Sequence, residues 1–146
     1  MASSIAAARA ALYDLLAAAE GLAGVQVVFG APDAYERQEV VALLGFGPVD
    51  DEPAAIGQAR HDERYRIETK LKVHNPAADL GITVETRAMA LYNVVRAVIA
   101  ANPTLSGSVV IARPSGSDTS PGPQSAEGGG FVMFVSCFTE CVARIS

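Results

Sequence analysis

The chain has 146 residues, of which 50% are apolar and 18% are charged, and its formal net charge is -5. A length of about 150 residues favours a single domain with a hydrophobic core. This apolar content excludes a wholly disordered chain. The acidic balance argues against a general nucleic-acid-binding protein, because such domains carry a large basic excess. A local basic patch remains compatible with it.

The cysteines and the apolar runs indicate the cellular compartment in which the protein folds. Cys137 and Cys141 lie in a predicted strand, where residues four apart are separated by about 13 Å, too far for a disulfide without backbone movement. We therefore expect both thiols to be reduced and buried. No basic stretch precedes the first apolar residues, and no apolar run reaches the roughly 18 residues of a membrane-spanning helix. The sequence predicts a protein that folds in the cytoplasm, without membrane contact.

The first part of the chain predicts one helix and two strands. Residues 4–20 place their apolar side chains on one face at the helical period, with Ser3 or Ser4 as the cap. Two short apolar runs, 25–29 and 39–46, predict buried strands. The order at the start of the chain is therefore α-β-β.

Strict alternation of polar and apolar residues makes 64–74 the clearest strand in the sequence. One face is apolar and predicted to be buried: Tyr65, Ile67, Thr69, Leu71 and Val73. The other face is charged: Arg64, Arg66, Glu68, Lys70, Lys72 and His74. Residues 47–53, which precede this strand, contain Gly, Pro and acidic side chains and predict an acidic loop.

The second part of the chain predicts a helix followed by two strands. Thr83 is the predicted cap of a helix that ends at Asn102. A strand follows at 108–112. Residues 114–130 are dominated by Ser, Gly and Pro and predict a flexible, exposed loop. The chain then closes with a β segment over 131–145 that we expect to be bent or bulged.

This order, α-β-β-β-α-β-β, predicts an α+β fold in a single domain over residues 1–146. We expect a mostly antiparallel sheet of about five strands, with the two helices packed on one face. Strands that are adjacent in sequence should form hairpins. The charged row of 64–74 should then lie on the open face of the sheet.

No catalytic or metal-binding motif is recognisable. His61 and His74 have no ligand spacing with each other or with the cysteines. Gly45 and Gly47 lack the third glycine of a dinucleotide fingerprint. Ser115 is outside a nucleophile elbow. We therefore expect no enzymatic activity, no cofactor and no metal.

The charged row is the one feature that points to a function. Without its histidine it has four positive residues and one negative residue, in a chain that is acidic as a whole. A solvated sheet face is one interpretation. The other is a surface that faces an anionic partner, either an acidic loop of a neighbouring subunit or DNA.

The order and spacing of several segments resemble one protein family over nearly the whole chain. The segments are the run Val25-Gln26-Val27-Val28-Phe29-Gly30-Ala31-Pro32, the run Val40-Val41-Ala42-Leu43-Leu44-Gly45, the alternating strand, and the second helix from Glu85 to Ala101, which leads through Asn102-Pro103-Thr104-Leu105-Ser106-Gly107 to Ser108-Val109-Val110-Ile111-Ala112. Together they resemble the tail terminator, or tail completion, proteins of long-tailed bacteriophages of the siphophage type.

The resemblance implies a structural virion protein at the head-proximal end of the tail, assembled in the host cytoplasm. Such a subunit forms a hexameric ring that caps the tail tube and ends its polymerisation. It joins the tail to the head connector or stopper protein, and DNA passes through its lumen without sequence-specific binding. Another head–tail joining or neck adaptor protein and a small cytoplasmic binding domain remain as alternatives.

Two groups of residues are the predicted contact sites of this ring. The subunit-interface or lumen-facing candidates are Arg64, Arg66, Glu68, Lys70 and Lys72. The partner-contact loop candidates are Asp50, Asp51, Glu52, Asp118 and Gln124. A closed ring needs a heterologous interface with two different patches on each subunit, and a basic strand with acidic loops offers a complementary pair.

Overall fold

The computed structural model describes residues 3–30, 38–53, 61–121 and 129–145 and has the predicted α+β order. Two α-helices lie in these ranges, α1 (Ile5–Ala17) and α2 (Gly81–Ala101), and a short 3₁₀ turn (Glu20–Leu22) follows the first of them. The strands of the described residues are β1 (Gln26–Phe29), β2 (Glu39–Pro53), β3 (His61–Asn75), β4 (Ile111–Pro121) and β5 (Phe131–Ile145).

The five strands form one sheet in the order β1-β2-β3-β5-β4, so β3 is its central strand. β3 is antiparallel to both of its neighbours, and β4 is antiparallel to β5. The prediction of hairpins between adjacent strands is wrong for the first pair, since β1 runs parallel to β2. Parallel neighbours require a crossover connection, and the connecting residues 31–37 are outside the described part.

The helices pack on one face of the sheet, as predicted. Helix α1 contacts β1 and β2, and α2 contacts β3, β5 and β4. The apolar face of β3 is buried against them, which confirms the alternation found in the sequence. Leu91 and Val95, in the middle of α2, have no exposed surface. The apolar side chains that recur at every second residue of β3 and about every 3.6 residues of the helices therefore pack together in one core.

Strand β2 is more buried than a strand of an open sheet. Val40, Val41, Ala42 and Leu43 are all completely inaccessible to solvent. Because successive side chains point to opposite faces, β2 is covered on both sides over this stretch. The open face of the sheet therefore consists mainly of β3, β5 and β4.

The beginning of α1 is joined to β3 by a buried polar cluster. Of the two predicted caps, Ser3 accepts a 3.2 Å hydrogen bond from the Ile5 N–H through its hydroxyl, whereas Ser4 has no side-chain capping bond to its own helix. Its backbone N–H and its hydroxyl donate to Glu63 Oε1 over 3.0 and 2.8 Å, and its hydroxyl also lies 2.8 Å from the Tyr65 hydroxyl. Glu63 is only 3% exposed. Its carboxylate thus lies at the positive end of the α1 dipole, where negative charge is stabilised.

Helix α2 begins two residues before its predicted cap. Its first residue is Gly81 and the N-cap position is Leu80, so Thr83 lies inside the first turn. The predicted end at Asn102 is confirmed. Pro103 follows, and a proline disfavours helical conformation in the residue before it.

Two segments predicted as loops are strands in the structure. The segment 47–53 belongs to β2, and 114–121 belongs to β4. In both cases a long neighbouring strand supplies hydrogen-bonding partners that overcome a low strand propensity. The strand predicted at 108–112 starts only at Ile111. Residues 122–128, the remainder of the predicted loop except for its last two residues, are outside the described part.

The sheet irregularities lie in β2 and β4, where Gly and Pro interrupt the strands. The register of β2 shifts twice, between Leu43 and Phe46 and between Gly47 and Asp50, and that of β4 shifts once, between Pro114 and Gly116. A bulge in β5 is contradicted, because its pairing with β3 continues without a register shift from one end to the other.

The two cysteines are free and buried, as expected. Burial raises the pKa of both thiols from 9.0 to about 12. Burial also raises the pKa of the Tyr65 hydroxyl, from 10.0 to about 12. These groups are neutral members of the core at physiological pH.

We predict that Leu91→Ala lowers the free energy of unfolding by about 2–5 kcal/mol, because it leaves a cavity between α2 and the sheet. Ile82→Ala, at a position of the same helix that is 63% exposed, should change it by less than about 0.5 kcal/mol. Urea unfolding of the two variants tests this packing. Equal losses for both would contradict the burial of Leu91.

We also predict that the protein loses stability as the pH rises from about 9 to about 12. The unfolded chain releases the protons of Tyr65, Cys137 and Cys141 near their ordinary pKa values, whereas the folded chain keeps them until about pH 12. High pH therefore favours the unfolded state. The urea midpoint should fall across this range, and less steeply in Cys141→Ala. A midpoint independent of pH would contradict the raised pKa values.

Candidate interaction surface

The charged row of β3 lies on the side of the sheet opposite the helices. We call this row, together with its cross-strand neighbours on β5 and β4, the charged face. Arg64 and Arg66 are exposed, whereas Glu68, Lys70 and Lys72 are half-buried. The structure therefore brings the five interface or lumen candidates together on one surface, because the two-residue period of the strand aligns them.

Aromatic side chains of β5 support two of these cations. The Arg66 guanidinium lies 5.0 Å from the Phe138 ring centroid, and the Lys70 ammonium lies 5.0 Å from the Phe134 ring centroid. Both rings are half-buried. Each contact is worth about 0.5–1 kcal/mol at an exposed site. The two cations are thus held over an apolar surface.

One half of the charged face contains ion pairs within the chain. Arg144 on β5 binds Asp62 on β3 through two hydrogen bonds, of 2.9 and 3.3 Å, and these bonds lower the pKa of the Asp62 carboxyl. Arg113 on β4 lies 3.3 Å from Glu140 on β5. Glu140 is also directly opposite Arg66. Two arginines of this half, Arg113 and Arg144, are therefore paired with carboxylates of the same chain.

The acidic segment of β2 borders the same half. Asp50 is the cross-strand neighbour of Arg64, and Asp51 is the neighbour of Glu63. Asp50 and Asp51 are exposed. Glu52 lies opposite Asp62 in the register. The predicted basic and acidic patches are therefore neighbours within one chain and do not lie on separate parts of the subunit.

The other half of the charged face contains the two lysines of the β3 row. Lys70 lies between Ala42 on β2 and Ser136 on β5. Lys72 lies next to Val40, and burial lowers the pKa of its ammonium group. The residues directly opposite Lys70 and Lys72 on β2 and β5 are uncharged.

Two predicted contact residues fall on or beyond β4. Asp118 is exposed and lies opposite Ser136, one strand further from the lysines. Gln124 lies outside the described residues. Asp118 is thus an acidic residue at the edge of the charged face and part of a strand, where the sequence predicted a loop.

Two open hollows lie near this surface. One, of about 300 Å³, is at the irregular part of β2 and is lined by Gly45, Phe46, Gly47, Arg66, Glu68 and Phe138. The other, of about 670 Å³, lies at the start of α2 and contains the ion pair between Arg87 and Glu39. Among the described residues, no serine or cysteine lines either hollow.

The histidines and cysteines are far apart. His61 and His74 lie near the two ends of β3, which separates them by about 43 Å along the strand. Both cysteines are buried in the helix-facing core. Within residues 3–30, 38–53, 61–121 and 129–145, no cluster of three or more His, Cys, Asp or Glu side chains could hold a metal ion.

Sequence reasoning missed several members of the charged face: Asp62, Arg113, Phe134, Phe138, Glu140 and Arg144. The alternation of β5, where Phe134, Ser136, Phe138 and Glu140 occupy every second position, was a signal for part of this group. Their contact with β3 was not visible, because it depends on the register between strands that are distant in sequence.

No protein-family model and no curated protein matches the chain. A solved structure that the chain resembles is described as the virion of a native gene transfer agent particle. The sequences are 16% identical, the match covers 92% of each chain, and the TM-score is 0.46. No helix in the described ranges is long and apolar enough to cross a membrane.

Proposed function

We propose that this chain is a structural, non-enzymatic virion protein that forms a hexameric ring on the head-proximal end of a phage tail tube. The ring ends tube polymerisation and joins the tail to the head connector. The proposal rests on the resemblance of the sequence to tail terminator proteins and on the two different edges of the sheet. It needs no cofactor and no membrane.

The observation that carries the proposal is the asymmetry of the sheet edges. At one side, β1 pairs only with Val40–Leu43, so the outer side of β2 from residue 44 onward has no strand neighbour among the described residues. At the other side, the edge strand is β4. A ring closes through contacts between two different patches of each subunit, and this subunit offers two such edges.

The charged face is our candidate for the lumen. DNA requires cations that are not neutralised by nearby carboxylates, and Lys70, whose cross-strand neighbours Ala42 and Ser136 are uncharged, meets this condition better than the arginines beside Asp62 and Glu140. The phenylalanines under the cations make the surface partly apolar. Contacts of lysine with phosphate carry no sequence information, which suits a passage for the genome.

We predict that the purified protein is a hexamer, or a monomer that becomes a hexamer as its concentration rises. Light scattering across a wide concentration range gives the mass. The chain should also shorten the tubes formed by the tail-tube protein of the same virion. A stable dimer would contradict the proposal, and a monomer that has no effect on tube length would favour a small binding domain.

We further predict that Lys70→Glu combined with Lys72→Glu weakens capping of the tube but leaves the protein folded. The loss of the Lys70–Phe134 contact is worth about 1 kcal/mol at most, which corresponds to a change of about 2–4 °C in melting temperature. Tube length in the presence of each variant is the measurement.

A matched control is Thr86→Glu combined with Ala90→Glu, which adds carboxylates at exposed positions of α2, away from the charged face. This control should cap tubes like the wild type. If the lysine variant also caps normally, the charged face has no part in the function.

A further inference from the structure

Aromatic side chains surround Arg9 where α1 meets the outer edge of β2. Phe29 is the last residue of β1 and Phe46 lies on β2, and these two residues are 52% and 50% exposed. Tyr13 of α1 packs edge-on against Phe29, with the ring centroids 5.9 Å apart. We call Arg9, Tyr13, Phe29 and Phe46 the arginine–aromatic cluster. Aromatic residues and arginine are enriched at the centres of protein interfaces.

The chain itself fixes the position of the Arg9 guanidinium. The guanidinium lies 4.6 Å from the Phe29 ring centroid and 5.9 Å from that of Phe46. Its Nη2 donates a 2.6 Å hydrogen bond to the Leu44 carbonyl. A side chain that is already held in one position loses little conformational entropy when it binds a partner. The cluster is therefore preorganised for binding.

The positive charge of Arg9 has no carboxylate partner among the described residues. Arg87, Arg113 and Arg144 each form an ion pair there, whereas Arg9 forms none. Its Nε–H is inaccessible to solvent and has no hydrogen-bond acceptor within the same ranges. A partly dehydrated cation attracts an incoming anion more strongly than a fully hydrated one does, because the local dielectric constant is lower. The cluster thus lacks one component, an anion.

The surroundings favour a protein carboxylate over a polyanion such as nucleic acid. Asp50 and Asp51 are exposed further along β2. Their pairing positions on β3 are three and four residues from that of Phe46, or about 10–13 Å along the strand. A row of phosphates bound at Arg9 would extend over these carboxylates, which would repel it. A protein segment with one carboxylate and a nearby basic residue satisfies both charges.

The edge strand of a second copy does not supply this carboxylate. The β4 residues at the level of Phe46 and Gly47 are Pro114 and Arg113. A neighbour related by rotation about an axis along the strands would therefore bring a proline and another arginine towards Arg9. Like charges at an interface act against the wrong partner. The carboxylate therefore has to come from a different protein.

We infer that the arginine–aromatic cluster docks an acidic segment of a different protein. One carboxylate of this segment binds the Nη–H groups of Arg9 that the Leu44 carbonyl leaves available. An apolar side chain next to this carboxylate covers Phe29 and Phe46, and a basic residue three or four positions away faces Asp50. The inference goes beyond the proposed ring and does not depend on it, since a monomer presents the same cluster.

Photo-cross-linking in the producing cells identifies the occupant. Phe46→benzoylphenylalanine should cross-link to a protein other than this chain, at a segment in which an Asp or Glu adjoins the cross-linked residue, as mass spectrometry of the product would show. Ile82→benzoylphenylalanine is the matched control, because Ile82 is 63% exposed but lies outside the cluster, and it should not give this product. Cross-links to this chain itself, to nucleic acid or to a segment without a carboxylate would each overturn the inference.

Removal of either charge tests the contact with Arg9. Arg9→Met should lower the cross-linking yield by about tenfold or more, because the carboxylate of the partner is left without its cation. Conversion of that carboxylate to the amide should lower the yield by the same factor, and the two changes together should lower it no further than either alone. Effects that simply add would show that the two groups do not touch.

A second arginine provides the control for this substitution. The Arg96 guanidinium lies 5.5 Å from the Tyr92 ring centroid on α2, so Arg96→Met also removes a cation from an aromatic ring. Its cross-linking yield should equal that of the unsubstituted chain. Circular dichroism checks that both variants are folded. If Arg9→Met does not fold, the amide substitution in the partner, which leaves this chain unchanged, decides the question.

The outcomes separate this inference from the proposed function. A ring that caps tubes, but gives no cross-link from Phe46 to an acidic segment of another protein, overturns the inference and leaves the proposed function standing. A protein that stays monomeric and does not shorten tubes, but gives this cross-link, overturns the ring and supports the docking site.

Discussion

The structure depends on the alternation of one strand, β3, at the centre of the sheet. Its inward side chains, among them Ile67 and Leu71, form the middle of the core under α2, and its outward side chains form the charged face. A shift of register by one residue would bury four cations and expose the core. Both the stability of the fold and the placement of the candidate surface therefore follow from the same two-residue period.

The strand register also determines which cations of the charged face lie beside a carboxylate, and the amino-acid composition does not show this. The chain is acidic as a whole, and one end of the charged face pairs its cations with Asp62 and Glu140. Lys70, in contrast, has only uncharged cross-strand neighbours, Ala42 and Ser136. The residues on the next strand thus decide whether a basic residue is paired within the chain, because unit charges a few ångströms apart largely neutralise each other's field.

The strands at the edges of the sheet are irregular. Glycine, proline and register shifts interrupt β2 and β4, and such features protect edge strands from indiscriminate pairing. Pro114 is tolerated in β4 because an edge strand has one side without ladder hydrogen bonds.

The sequence by itself determined the α+β class, the order of the elements, the buried face of β3 and the end of α2 at Asn102, because these features come from local periodicity and local stop signals. Only the tertiary structure decided that 47–53 and 114–121 are strands, that β1 is parallel to β2, and that Asp50 lies beside Arg64. Those features depend on pairing between distant segments, and hydrogen bonds supplied by a long neighbouring strand outweigh the weak intrinsic preference of Ser, Gly and Pro. The bond between Ser4 and Glu63 is of the same kind, since no local pattern relates two residues 59 positions apart.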